Sequence, residues 1–546
     1  MTRKEYADLL LPNGIHDWEY YENLYPERNL EKGAMVTRFA PSPTGFVHMG
    51  SLYTSFAALQ LAKQTKGICY LRIEDTDGKR TVENGVQGII DDFKSLDITF
   101  DEGQGFGGNY GPYIQSERKD IYQAYAKKLI IEEKAYPCFC SPERLEEIRT
   151  YQEHKKLRIG YYKKYAKCRD LTMEEVLEKI NNGEKYIIRM KSPGDFENKV
   201  VLHDAIKGDI EMPENDIDDV IIKGDGLPTY HFAHVIDDHL MKTTHVTRGD
   251  EWVASYPKHK QLFEILGFKE PIYAHIAPIT IREGNTVRKL SKRKDKEAAI
   301  SYYAKLGIPT EAIRLYLATI ENFDFEEWYT NNPDKGIDDF NFEFSKMPIG
   351  GTLFDIEKLI SISKIYFSRM KNTEIYNRTL AYTKEYDQEF YEVLNNNKDY
   401  ALKIFNIERD IPRPRKDIGS LSDVKKEFWY MFPTLFEKNL EEYEDVKVCD
   451  KKIVIDYLNN IYNDSDDQET WFNKVKDFAC LNGYASDKKL YKEDPSKFIG
   501  MVADFCALLR IIICKKNMSP NIYYLVQYLG KEELLKRVNK YYTNKD

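Results

Sequence analysis

From Met35 to Phe39 the residues MVTRF lean apolar, a run short enough to predict a β-strand. Pro41, Pro43 and Gly45 come next, and together they exclude helix and force an irregular turn. From Leu52 to Gln64 the apolar positions recur at helical spacing. The predicted order is strand, Pro/Gly loop, helix. Such a corner aims a loop and a helix N-terminus at one point, where free N–H groups and the helix dipole favour phosphate. Far downstream, Leu421 to Phe436 again carries apolar residues at helical spacing, so the C-terminal part is expected to be helical. Met1 to Ala34 is expected to pack as an extra helix. The glycine-rich run from Gly103 to Gly111 reads as a loop, because it lacks the downstream lysine and serine or threonine of a phosphate cradle.

Composition bounds these elements. A chain of 546 residues is long enough for roughly three to five domains. With 42% apolar and 31% charged residues it reads as a soluble globular protein, and no segment has the long uncharged run of a membrane helix. The opening MTRKEYADLLLPNG lacks the apolar core of a secretory signal. The eight cysteines are scattered apart from one close pair, so a reducing cytoplasm is the expected location. At a net charge of −9, RNA would have to be held by local basic surfaces.

Two segments carry candidate chemistry. Arg38 to Ser51 reads RFAPSPTGFVHMGS, in which His48 can donate a hydrogen bond to a phosphate oxygen and Gly50 leaves room for a nucleotide. Arg288 to Lys294 reads RKLSKRK and comes after a turn signal at Gly284-Asn285. A basic cluster on a loop is ordinarily a solvated face, but mobile lysines also suit the charge that builds on a triphosphate during displacement.

In this order and about this far apart, the two segments resemble the ATP-handling signatures of class I aminoacyl-tRNA synthetases, and specifically glutamyl-tRNA synthetase of the bacterial type. LRIEDTD (Leu71 to Asp77), GPYIQSER (Gly111 to Arg118) and GLPTYHFAHVIDDHLMKTTHVTRGDEW (Gly226 to Trp252) are similar to further stretches of that family. So are GGTLFDIEKLISISKIYFSRM (Gly350 to Met370) and LRIIICKKNMSPNIYYLVQYLG (Leu509 to Gly530). The resemblance runs from about Met35 to near the C-terminus. APSPTG and RIEDTD are glutamyl-type and not glutaminyl-type. The long chain beyond Met370 argues against a shortened paralogue that modifies a tRNA base.

The resemblance implies a two-step reaction: glutamate and ATP give glutamyl-adenylate, and the 3′ ribose hydroxyl of tRNA then takes the glutamyl group. Neither step needs a covalent protein intermediate. The catalytic residues implied are His48, Lys289 and Lys292. The ATP site implied comprises Pro41, Thr44, Gly45, His48, Gly50 and Ser51, with Lys289, Ser291 and Lys292 from the second segment; ATP is expected with Mg2+. The glutamate pocket implied comprises Arg38, Ser42, Glu74, Tyr230, His234 and Arg248. Arg38 would read the γ-carboxylate with its planar fork, and Glu74, helped by Ser42, would hold the α-ammonium. A glutamine amide would leave Arg38 without its counter-charge, at a cost of several kcal/mol. Two blander readings stand beside these: Glu74 as an ion-pair partner of Arg72, and Arg248 as one of Asp250 or Glu251. His234 stands where some family members have asparagine.

Cys138 and Cys140 form a C-x-C pair, and Cys168 lies downstream. Some members of the family bind zinc with a similar pair, a later cysteine and a nearby tyrosine, so Zn2+ is a candidate here, with Tyr165 or His154 as fourth ligand; free thiols are the alternative. The fold implied is α/β: a class I Rossmann-like catalytic domain with a parallel sheet, split by an acceptor-end insertion and succeeded by an all-α anticodon-binding region. Its bounds would be an N-terminal extension at 1–34, catalytic halves at 35–135 and 215–296, the insertion at 136–214, a helical connection at 297–370 and the anticodon region at 371–546. The basic stretches at Arg413 to Lys416 and Lys515-Lys516 could contact RNA phosphates, although taken alone such stretches are more often solvated surface. The expected partners are L-glutamate, ATP and tRNA(Glu), with tRNA(Gln) as a second candidate, and the expected state is a monomer. A silent RNA-binding paralogue would show damage at His48, Lys292, Arg38 or Glu74, and none is visible.

Overall fold

The computed structural model describes residues 1–12, 16–77, 82, 84–291 and 293–543. Lys292 therefore lies outside the described residues. The chain forms two compact units: Met1–Tyr302 with Arg314–Asp355, and Tyr303–Ile313 with the chain from Ile356 on.

The first unit is α/β. The expected strand is β1 (Val36–Phe39), and it pairs in parallel with β2 (Ile68–Leu71), which pairs in parallel with β3 (Glu102–Gly103). Between β1 and β2 runs helix α3 (Met49–Gln64), which starts three residues before the predicted position because His48 caps it. Two helices precede them, α1 (Arg3–Leu10) and α2 (Trp18–Leu24), while α4 (Gly85–Ser95) comes between β2 and β3 in sequence and α5 (Lys119–Ile131) comes after β3.

After β4 (Ala135–Cys138) come α6 (Pro142–His154) and α7 (Met173–Asn181). Next, β5 (Ile187–Met190) pairs antiparallel with β4 and with β8 (Val220–Ile222). The hairpin β6 (Lys199–Asp204) and β7 (Gly208–Pro213) lies between β5 and β8 in sequence. The chain then continues through α8 (Tyr230–Leu240), β9 (His245–Gly249), α9 (Tyr256–Leu266) and β10 (Ile272–Ile276). β10 pairs in parallel with β9 along its length and with β6 at Tyr273 and Asp204. Thr244, just before β9, ties it to β1: its carbonyl accepts from Ile272, and its N–H donates to the Val36 carbonyl at 2.9 Å. The basic loop comes after the hairpin of β11 (Ile279–Glu283) and β12 (Thr286–Lys289).

The N-terminal extension forms two short helices where one was expected. Tyr6, Ala7 and Leu10 of α1 are buried in the same core as Ile121 and Tyr125 of α5. Arg28 donates both ends of its fork to Glu102 at 2.8 and 3.0 Å, while its guanidinium lies 3.7 Å over the Tyr110 ring.

Among the described residues the second unit is helical apart from one short parallel pair, Tyr484–Ala485 with Gly500–Met501. The run from Leu421 is not one helix: it stops at Phe428, tightens through Trp429–Met431 and restarts at Pro433. Pro433 cannot donate into a continuing ladder, and it opens the new helix instead. Arg537 is buried in this core and donates to the Tyr430 and Ile513 carbonyls at 2.7 and 2.8 Å. Lys515, whose basic stretch offered either an RNA contact or plain solvated surface, is buried and donates to the Asn439 and Glu441 carbonyls. Among the described residues no helix is long and apolar enough to cross a membrane.

Candidate active site

The C-terminal ends of β1, β2 and β9 and the N-terminus of α3 face one cavity of about 270 Å³. Of the residues picked out in the sequence, Arg38, Ser42, His48, Gly50 and Ser51 line it from the first segment. Glu74, Tyr230, Arg248 and Lys289 line it from four other places in the chain. Pro41, Thr44, Gly45, Ser291 and His234 do not line it. Pro41 acts one step back: its carbonyl accepts the Glu74 N–H at 3.0 Å and so sets the height of that carboxylate.

His48 is the N-cap of α3, and its Nδ1 accepts the Ser51 N–H at 3.2 Å. That bond satisfies one orphan donor of the helix and places the proton of the neutral ring on Nε2, the donor position useful to an anion. A Cβ on Gly50 would lie 3.0 Å from His48 Cε1, so the glycine makes room for the imidazole as well as for any nucleotide.

Behind the cavity lies a buried charge network. Arg72 is fully buried, donating to Asp238 at 2.7 Å and to Glu74 at 3.2 Å. Arg118 holds the neighbouring Asp237 at 2.7 Å. The pairing of Glu74 with Arg72 is thus present, yet Glu74 also reaches the cavity wall. Burial pushes its carboxyl up to about 7, against the pull of Arg72 and Arg38. Arg38 is engaged too: Nη1 donates to the Thr247 carbonyl at 3.1 Å, and Nε lies 3.5 Å from Asp238. Its charge is therefore partly compensated before any substrate arrives.

Arg248 does not pair with Asp250 or Glu251, which are held by Lys207 and Lys289. It meets imidazoles instead: Nε donates to His275 and Nη1 to His259, both at 2.9 Å. His234 is buried between Asp238 at 3.1 Å and the Tyr273 hydroxyl at 2.9 Å, and burial holds its imidazole well below the usual range. Tyr230, His234 and Asp238 fall four residues apart on α8, so one helix face carries all three. That spacing was the signal available for Asp238. Trp252, whose ring centroid lies 4.3 Å from that of Tyr230, also lines the cavity, and in the sequence it was no more than the last residue of the stretch from Gly226.

In the basic loop, Asp295 organises the segment after β12. It accepts both ends of the Arg288 fork at 2.7 Å and the Ser291 N–H at 2.7 Å. Hydrogen bonds from Arg288 lower its carboxyl to about 2. Ser291 thereby shapes the loop through its backbone.

The cysteines also converge. The sulfurs of Cys138, Cys140 and Cys168 all lie within 4.8 Å of one another, a group that could hold a metal ion. The oxygen beside them belongs to Tyr161, not Tyr165: its hydroxyl is 3.5 Å from Cys138 Sγ and 3.2 Å from Cys140 Sγ. Among the described residues no histidine joins the cluster, so His154 is not the fourth ligand. Hydrogen bonds from Cys140 and Cys168 hold the Cys138 thiol far below its usual range. Three soft sulfurs and a phenol make a donor set that fits zinc.

Comparison with known proteins agrees with this geometry. Residues 34–322 match the family model for the catalytic domain of class I tRNA synthetases (E and Q). The chain is 44% identical to the glutamate–tRNA ligase of Clostridium beijerinckii over 99% of its own length and all of that protein. It is also 44% identical to that of Acetivibrio thermocellus, with the same coverage. Among solved structures, a glutamate tRNA ligase from Elizabethkingia meningosepticum in complex with its amino acid is 28% identical with a TM-score of 0.74, over 94% of this chain and all of that one. Cavity, sheet order and relatives lead to one conclusion: the chain belongs to the glutamate–tRNA ligase family of class I tRNA synthetases.

Proposed function

We propose that this chain activates L-glutamate with ATP and esterifies it to the 3′ end of tRNA(Glu). The observation that carries the reading is the convergence of Arg38, His48, Glu74, Tyr230, Arg248 and Lys289 on one cavity. These side chains match the needs of a dicarboxylate with one ammonium, next to a phosphate-binding helix end.

In the first step a glutamate α-carboxylate oxygen attacks the α-phosphorus of ATP, which enters as its magnesium complex, and pyrophosphate leaves. His48 donates from Nε2 to a phosphate oxygen. Lys289, with Lys292 of the same loop, offsets charge on the leaving group. Glu74 takes the α-ammonium, and Arg38 and Arg248 face the carboxylates. In the second step the terminal ribose hydroxyl attacks the acyl carbon and AMP leaves. Residues 136–214 serve as the acceptor-end module, and 371–546 as the anticodon region. Zinc, held by Cys138, Cys140, Cys168 and Tyr161, would brace that module away from the chemistry. A cytoplasmic monomer that also accepts tRNA(Gln) is the broader form of the reading.

Charging of purified tRNA(Glu) and tRNA(Gln) with labelled glutamate tests it, with Lys292→Ala as control. Charging that the control abolishes is expected. Failure of the folded wild-type chain to charge either tRNA overturns the reading.

A further inference from the structure

Four arginines surround the base of the cavity, and three are matched to carboxylates. Arg72 meets Asp238 and Glu74, Arg118 meets Asp237, and Arg38 lies near Asp238. Arg248 differs. Its Nε donates to His275 Nε2, its Nη1 to His259 Nδ1 and its Nη2 to the Trp252 carbonyl at 3.4 Å, while the guanidinium lies 4.5 Å over the Tyr273 ring. Among the described residues none of these contacts is a carboxylate.

A guanidinium has no lone pair to offer. Each imidazole nitrogen facing it must therefore be unprotonated, and each ring must carry its proton on the far side. For His275 that proton sits on Nδ1, 2.7 Å from Asp204, whose carboxylate also accepts the His275 N–H at 3.0 Å. For His259 it sits on Nε2, 2.8 Å from His231 Nδ1. Both rings are buried, and burial holds both below the usual imidazole range. Asp204 itself is fixed by the turn between β6 and β7, accepting from the Ile206 and Lys207 N–H groups.

Resting on the proposed function, in which Arg248 meets a substrate carboxylate, we propose that His275 and His259 are positioning residues that seat Arg248 without neutralising it, so that the cavity selects a carboxylate over a carboxamide. An arginine anchored by Asp or Glu would be held as firmly but would arrive already paired. Neutral acceptors fix the direction of the fork and leave the full charge for the substrate. A glutamine side chain would then leave a partly desolvated cation unmatched.

The test compares acceptors of similar size and different charge. His275→Gln keeps a carbonyl oxygen for Arg248 and an N–H for Asp204, whereas His275→Glu puts a counter-ion against the guanidinium. His259→Gln and His259→Glu repeat the comparison away from Asp204, in case a second carboxylate there disturbs folding. Steady-state charging of tRNA(Glu) and thermal unfolding are measured for each, with wild type alongside. The Gln variants are expected to raise the KM for glutamate by about threefold or less, and the Glu variants by about tenfold or more, with the KM for ATP within about twofold throughout. Discrimination against glutamine should narrow in the Glu variants alone. Equal KM values for glutamate in the Gln and Glu members of both pairs would overturn the proposal. A wild-type chain that charges neither tRNA would sink the ligase reading itself, a separate outcome.

Discussion

Glu74 offers the sharpest quantitative test. Its carboxyl is pushed up to about 7 by burial, so near neutrality the free protein holds a proton there part of the time. An ammonium can bind only the ionised form well. Binding glutamate should therefore expel that proton, and the amount is set by the fraction protonated: about 0.9 proton at pH 6, about 0.5 at pH 7 and about 0.1 at pH 8. The same linkage makes glutamate binding about tenfold weaker at pH 6 than at pH 8. Three imidazoles packed against Tyr230 stay silent in this window. Burial lowers His231 to about 3 and holds His234 and His259 well below the usual range. The substrate's own side-chain carboxyl titrates near pH 4.3, below the window. Titration calorimetry with glutamate, in buffers of different ionisation enthalpy at each pH, reads the proton count directly. Glu74→Gln should abolish both the proton release and the pH dependence. Proton release near zero at pH 6, or proton uptake, would refute the assignment of Glu74 to the ammonium. Stability has a matching sign: the folded state holds a proton that the unfolded state releases near 4.5, so Glu74 costs stability increasingly as pH rises from about 4.5 to 7. Glu74→Gln should remove that slope.

Three further outcomes are expected. Zinc analysis of the isolated protein should find about one equivalent, lost with Cys140→Ser together with a fall in unfolding temperature; a metal-free wild type whose stability ignores chelators would disprove the site. Gly67→Ala places a Cβ 1.9 Å from the Met35 carbonyl oxygen, between β1 and β2. It should cost about 3 kcal/mol in denaturant unfolding, and an unchanged midpoint would contradict the close approach. Asp295→Asn removes the counter-charge of Arg288 and weakens the acceptor for the Ser291 N–H, so the KM for ATP should rise several-fold while the unfolding temperature barely moves. An ATP KM equal to wild type would show that the loop order does not matter to the nucleotide.

The features legible directly in the chain were local. The strand, turn and helix around His48 depend on apolar spacing and on Pro41, Pro43 and Gly45, and each of those signals acts within a few residues. The parallel sheet and the pocket residues were legible only through the family resemblance of longer motifs, not through spacing. Readings that needed a partner far away went astray. The charge of Lys515 did not reveal that Asn439 and Glu441 bury it, and the extension's helices take their buried face from α5. At the cysteines it is the Tyr161 hydroxyl that approaches Cys138 and Cys140, a contact that spacing along the chain does not report.

The sequence by itself determined the strand, turn and helix at His48 and the basic cluster that comes after Gly284-Asn285. Only the tertiary structure decided how the charges at the cavity are matched. His275 and His259 meet Arg248, with Asp204 behind the first and His231 behind the second, and β10 brings His275 to Asp204 because it runs between β6 and β9. Spacing along a chain reports which residues share a helix face or a strand. It says nothing about which acceptor a buried guanidinium will meet, and in a desolvated pocket that acceptor settles whether the cation is spent or available.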